Sequence, residues 1–170
     1  AVTIREHKPT IATGINGAWL IAAVATQAVS VLGSLLAPTF GQWRAEVLFF
    51  TLCMFLVGCM LYLAIITLIF YRLTFIRLTP LMMAPPYWIN MGAVAITTLA
   101  GATLLLRAGE WAFLQELQPF LRGWTLFFWV SATWWIPLLL ILMIWRHAYR
   151  RYPLAYDPTY WGLAFPLAMY

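Results

Sequence analysis

The sequence predicts an all-α integral membrane protein, a set of helical hairpins that each pair a small-and-polar inner helix with a bulky outer one. Three observations predict it. The chain is 64% hydrophobic and only 9% charged, with a mean hydropathy of +0.86, against about 25% charged residues in soluble domains. Its apolar residues gather into runs as long as a helix needs to cross roughly 30 Å of hydrocarbon. These runs alternate in character, small-and-polar then bulky, twice over, as two hairpins that each pair an inner helix with an outer one.

Residues 1–14 are polar, with Arg5, Glu6, His7, Lys8 and Pro9, and lead into a first span over about 15–37. Its small residues Ala18, Ala22, Thr26, Ser30 and Ser34 recur every fourth position, with Gln27 near the middle. At roughly 3.6 residues per turn this stripe drifts around the helix, so it suits a crossing partner as well as a pore wall. The second span, about 46–71, carries Leu48, Phe49, Phe50, Met54, Phe55 and Leu61 and reads as lipid-facing; Arg72 and Arg77 follow it.

The third span, about 85–106, is the centre of the plan. It opens on a helix break, Pro85-Pro86, is poor in Leu and rich in Gly, Ala and Thr, and repeats Ala93, Thr97 and Gly101 at a spacing of four. A small-residue ridge lets a neighbouring backbone approach closely, so this helix is built to be surrounded by protein or to line a path. The fourth span, about 123–145, is outward-facing, with Trp124, Phe127, Phe128, Trp129, Trp134 and Trp135; Pro137 in its middle should kink it or free a carbonyl. A fifth begins over 158–170, inner by the same plan and too short to cross as it stands. Residues 1–170 thus read as one transmembrane domain, and a chain that opens on Ala1 and stops at Tyr170 inside an apolar run reads as a segment of a longer protein.

Charge sets an orientation. Arg5, Lys8, Arg72, Arg77, Arg146, Arg150 and Arg151 fall on one side, and Arg44, Arg107 and Arg122 on the other. The positive-inside bias puts the N-terminal end and the loops 72–84 and 146–157 in the cytoplasm, in a multi-pass protein of the plasma membrane. The net charge of +5 sits at the span ends rather than on one face, which speaks against nucleic acid.

The chemistry is sparse. No Asp, Glu, Lys, Arg or His falls inside any predicted span, which removes paired-carboxylate and triad catalysis and argues against a proton relay. His7 and His147 lie in loops and cannot grip a haem between helices. Cys53 and Cys59, six apart, do not face each other on a helix, so neither a disulfide nor a metal site is expected. No cofactor and no enzymatic activity is expected. What remains are the neutral dipoles Thr26, Gln27, Ser30, Asn90, Thr97, Thr98 and Thr103, joined by helix breaks at Pro85, Pro86 and Pro166. Hydroxyls and freed amides can replace an anion's hydration without a fixed charge to trap it; the same hydroxyls can instead bond between helices or back to their own turn. Phe165, beside Pro166, is either packing or a ring able to plug a narrow conduit.

The stretch Tyr160-Trp161-Gly162-Leu163-Ala164-Phe165-Pro166-Leu167-Ala168-Met169-Tyr170 resembles the start of the ninth helix of the tellurite-resistance/dicarboxylate transporter family, which includes slow-type anion channels. Pro85-Pro86-Tyr87-Trp88-Ile89-Asn90-Met91-Gly92-Ala93 and Ile15-Asn16-Gly17-Ala18-Trp19-Leu20-Ile21 are similar to its seventh and fifth helix starts. One departure is Ala168, where the motif leads one to expect Gly. The resemblance implies a ten-helix fold of five hairpins, odd helices inside, with this chain as the fifth to early ninth. It also implies a central pore between the hairpins, Phe165 as its occluding ring and assembly as a trimer; the residues read from the chain's own pattern as lining it are Thr26, Gln27, Ser30, Asn90, Thr97, Thr98 and Gly101. The expected function is transport of a small inorganic or organic anion, channel-like and gated by an aromatic side chain. The rivals are a proton-coupled carrier of C4-dicarboxylates, sulfite or tellurite on the same fold, and a structural or assembly subunit without conduction.

Overall fold

Each inner helix is launched by residues that fix its first turn. In the computed structural model, which describes residues 10, 14–77, 79–80, 82–83, 85–156 and 158–170, Asn16 is extended and its Oδ1 accepts the Ala18 N–H at 2.9 Å. This side-chain cap opens a 3-10 turn, Gly17–Leu20, that runs into α1, Ile21–Leu36. A second 3-10 stretch, Ala37–Trp43, reverses the chain; Gly41 takes φ 54°, a left-handed value that a Cβ would strain. Then comes α2, Arg44–Phe75, ended by Ile76 in an extended conformation.

The second hairpin repeats the plan. The 3-10 turn Pro85–Trp88 leads into α3, Ile89–Leu106. The turn Ala108–Glu110 and the short α4, Ala112–Glu116, connect it to α5, Gln118–Ile144, which ends in a π-turn, Trp145–Tyr149. Pro137 offers no N–H to the Thr133 carbonyl, yet α5 continues through it. The turn Pro158–Tyr160 and α6, Trp161–Met169, complete the described chain.

This is an all-α membrane fold. Among the described residues three helical stretches are long and apolar enough to cross a bilayer: Gly17–Phe75, bent at Gly41, Pro85–Leu106 and Gln118–Tyr149. Arg5 and Lys8, which enter the charge argument, and His7 lie outside the described residues.

The helices pair as inner and outer layers. α1 packs antiparallel on α2 and α3 antiparallel on α5, while α1, α3 and α6 run side by side in parallel. α3 lies in the middle, in contact with α1, α2, α5 and α6. From Ile89 to Thr97 it is buried on every side, as its lack of large side chains requires. The outer helices instead present Phe49, Phe50, Phe70, Phe127, Trp129 and Trp134 at their surface.

The two outer helices are copies in their packing. A shift of 73 residues carries the buried Leu48, Phe55, Cys59 and Tyr62 of α2 onto Leu121, Phe128, Ala132 and Trp135 of α5, all buried as well. One residue is added by the end of α5, where the π-turn lies, so that Arg72 corresponds to Arg146. An extra residue accommodated in a helix is what a π-turn does.

Candidate functional site

The inner layer is joined by glycines. A methyl group on Gly17 would stand 2.1 Å from the Pro86 carbonyl oxygen, and one on Gly92 would stand 2.9 Å from Pro166 Cγ. The start of each inner helix is therefore seated against the proline-bearing segment of the next. Pro85 and Pro86 do mechanical work here, since the 3-10 turn they form presents a carbonyl to Gly17.

The polar residues of α1 turn toward α2. Gln27, fully buried, donates from Nε2 to the Phe55 carbonyl at 3.0 Å and lies 3.7 Å from Cys59 Sγ. Ser30 donates to the Thr51 carbonyl at 3.1 Å. The hydroxyl of Thr26 bonds back to the Ala23 carbonyl at 2.8 Å and lies beside Gly58. In α3, Thr97 and Thr98 bond back to the Ala93 and Val94 carbonyls at 2.7 and 2.9 Å. Gly101 receives the side chain of Thr125 from α5, whose Oγ1 would be 2.1 Å from an added Cβ. Asn90 is fully buried, and neither of its amide atoms has a partner among the described residues.

The predicted residues thus divide. Thr26, Gln27, Ser30 and Gly101 lie at joints between inner and outer helices, and Thr97 is buried in the layer. Thr98 faces an open recess of about 240 Å³, with Ala95, Leu99 and Ala102 from α3, Trp129 and Ala132 from α5, and Met169 and Tyr170 from the chain's last turn. Phe165 stands in α6 with 38% of its surface exposed, while the adjoining Pro166 is buried on Gly92.

Two residues escape a reading by hydropathy. Arg72 and Arg146 are expected in loops, with every span free of charge, but both lie within continuous helical segments and are buried, at 4% and 8% exposure. Each long side chain carries its guanidinium to a backbone carbonyl near the start of its own hairpin. Arg72 Nη1 donates to the Ile15 carbonyl and, at 2.6 Å, to the Tyr87 hydroxyl, and Arg146 Nη1 donates to the Met83 carbonyl. The Arg146 guanidinium also stacks over the Tyr152 ring at 4.5 Å. The signal that could have found them is the internal repeat, with Tyr87-Trp88 and Tyr160-Trp161 following Arg72 and Arg146 at nearly equal distances.

At the other end of the bundle Glu110 lies between two arginines, 3.0 Å from Arg107 Nη1 and 3.6 Å from Arg44 Nε. Arg107 also donates from Nε to the Ser34 carbonyl at 3.1 Å, so this cluster ties the two hairpins together. A clamp of this kind, partly exposed, stabilises weakly.

Comparison with known proteins agrees with this architecture. Two relatives, each described as an uncharacterized membrane protein of Mycobacterium tuberculosis, are 40% identical over 110 residues, covering 65% of this chain and 55% of theirs. An uncharacterized transporter of Methanocaldococcus jannaschii is 27% identical over 157 residues, covering 92% of this chain and 44% of its own. The chain therefore spans about half the length of the curated relatives it matches. No solved structure matches. The family model described as voltage-dependent anion channel (SLAC1) matches residues 1–170, and with an all-α membrane fold already in view the chain belongs to that family of channels and transporters.

Proposed function

We propose that this chain forms part of a path for small anions across a plasma membrane, walled by α1, α3 and α6 and closed by the ring of Phe165. The observation that carries the reading is the pairing of Phe165 with Pro166. The proline is buried against Gly92 while the ring beside it is partly exposed, so a rigid seat supports an aromatic side chain that is free on its outer side. Thr98, with Ala95 and Ala102 beside it on α3, lines the recess next to α6, and its hydroxyl bonds back to the Val94 carbonyl. The wall they offer is neutral, and a neutral wall passes an anion without holding it. In this reading the ends bearing Arg72 and Arg146 face the cytoplasm by the positive-inside bias, and the natural protein assembles as a trimer in lipid.

The test is anion flux through the full-length protein in liposomes, compared with its Phe165→Ala variant. We expect a severalfold rise in anion-selective flux that does not depend on a pH gradient. A second reading, a proton-coupled carrier of C4-dicarboxylates, sulfite or tellurite, draws on the transporter designation of the Methanocaldococcus relatives. Saturable uptake driven by a proton gradient, with no rise in Phe165→Ala, decides for the carrier. A folded and inserted protein silent in both assays leaves an assembly subunit.

A further inference from the structure

The two hairpins differ at the place where their buried arginines end. In the first, Arg72 Nη1 donates to the Tyr87 hydroxyl at 2.6 Å. In the second, the corresponding Tyr160 lines a pocket of about 20 Å³, bounded also by Met83, Tyr87, Leu142, Arg146 and Leu163. We propose that this pocket binds one small monovalent inorganic anion of about halide size.

Three observations support the assignment. Arg146 is more than nine-tenths buried and its Nε has no hydrogen-bond partner among the described residues; the same holds for Arg72 Nε, but of the two it is Arg146 that borders this pocket. A guanidinium carries five N–H donors and keeps its charge in any protein environment, so an unpaired buried Nε–H is a donor in want of an acceptor. The described residues also contain no carboxylate within ion-pairing distance of Arg146, since the ion pairs among them involve only Arg44 and Arg107 with Glu110. Burying a cation costs several kcal/mol; the Met83 carbonyl and the Tyr152 ring offset part of that, and a bound anion would offset more. Finally, the size selects the ligand: a space of this volume takes about one water-sized particle, which admits a halide and rejects a dicarboxylate. The aromatic and aliphatic walls raise the attraction by excluding water from the pair.

The site deepens the anion-path reading and rests on it for its purpose, a resting place at the mouth where the C-terminal end of α5 meets the turns that start α3 and α6. Binding and conduction are separately measurable. Full-length protein is titrated with bromide by calorimetry, and crystals soaked in bromide are inspected for anomalous density. We expect one bromide beside Arg146 Nε and at least tenfold weaker binding in Arg146→Gln. Because Arg146→Gln also releases the Met83 carbonyl, Leu163→Trp, which fills the pocket and leaves Arg146 in place, is the companion variant and is expected to lose the ion as well. Bromide absent from Arg146 while anion flux persists overturns the site and leaves the path standing. Bromide retained in both variants marks an adventitious ion only and overturns it too. Bromide bound beside Arg146 and lost in both variants, in a protein that passes no anion, upholds the site and refutes the path.

Discussion

The two hairpins share one plan and differ in how completely they close it. In the first, Gln27 and Ser30 reach across to carbonyls of α2, and Arg72 is bonded both to the Ile15 carbonyl and to the Tyr87 hydroxyl. In the second, Asn90, Thr125 and the Nε of Arg146 are buried with no partner among the described residues, and the Thr98 side of α3 opens on a recess. Buried polar groups without partners are costly. The first hairpin has its own, Gln27 Oε1, Ser34 Oγ and Arg72 Nε, so what separates the two is the bond from Arg72 to the Tyr87 hydroxyl, which has no counterpart between Arg146 and Tyr160 among the described residues. The shared plan is what the packing requires, and the ends of the two arginines are where the copies part.

The largest effect belongs to the joint between the hairpins. Gly17 meets the Pro86 carbonyl, a backbone atom that cannot rotate away, at 2.1 Å from an added Cβ. A Cβ on Gly162, which approaches the same turn from α6, would stand 3.8 Å from Pro86 Cα, an ordinary contact. Gly17→Ala should therefore destabilise by about 3 kcal/mol, the upper part of the overpacking range, while Gly162→Ala should be close to silent. Unfolding in graded denaturing detergent measures both. Equal tolerance of the two substitutions would mean that the start of α1 can shift away from Pro86 at little cost, and that the inner layer is looser than its geometry.

The next effect separates the two arginines. Tyr87→Phe removes the hydroxyl on Arg72 and should cost about 1.5 kcal/mol, the lower end for a hydrogen bond to a charged group. Tyr160→Phe, at the corresponding position beside Arg146, should change stability by less than about 0.5 kcal/mol, as for a residue without such a bond. The same unfolding assay reads both. A loss at Tyr160 as large as that at Tyr87 would show that its hydroxyl serves Arg146 in solution and that the second pocket is closed like the first.

How much of this was legible in the sequence depends on what each residue needs. The centrality of α3 was legible because close approach requires that side chains be missing, and the run from Asn90 to Gly101 holds few large ones. The alternation of inner and outer helices was legible for the same reason. The direction of the α1 stripe was not: residues four apart sweep around a helix, and nothing in the spacing of Gln27 and Ser30 says that α2 supplies their acceptors. The arginines were hidden by the way hydropathy treats charge. A guanidinium on a long apolar stem can be buried at a helix end when a carbonyl awaits it, so Arg72, which a hydropathy reading takes as the end of a span, lies within a helix that continues to Phe75. The contrast between Arg72 and Arg146 needed three dimensions, because both hairpins carry the same Tyr-Trp pair and only the position of the hydroxyl tells them apart.

The smallest effect is a matter of sign. Thr51 and Thr125, which the 73-residue shift does not superpose, fill similar seats, each with its hydroxyl close to where a Cβ on an inner-helix glycine would lie, Gly33 and Gly101 respectively. Their hydroxyls are treated differently. Thr51 Oγ1 donates to the Val47 carbonyl at 2.7 Å, whereas Thr125 Oγ1 is buried with no partner among the described residues. Valine keeps the shape of threonine and removes only the hydroxyl. Thr51→Val should then cost about 0.6 kcal/mol, the average worth of such a bond in a membrane helix, while Thr125→Val relieves an unpaired group and should be neutral or stabilising by up to about 1 kcal/mol. The difference is best read as a shift in unfolding midpoint between the two single variants, with the double variant to check additivity across sites that share no partner. If both lose stability equally, the Thr125 hydroxyl has an acceptor in the bilayer, and the two hairpins are alike at this seat after all.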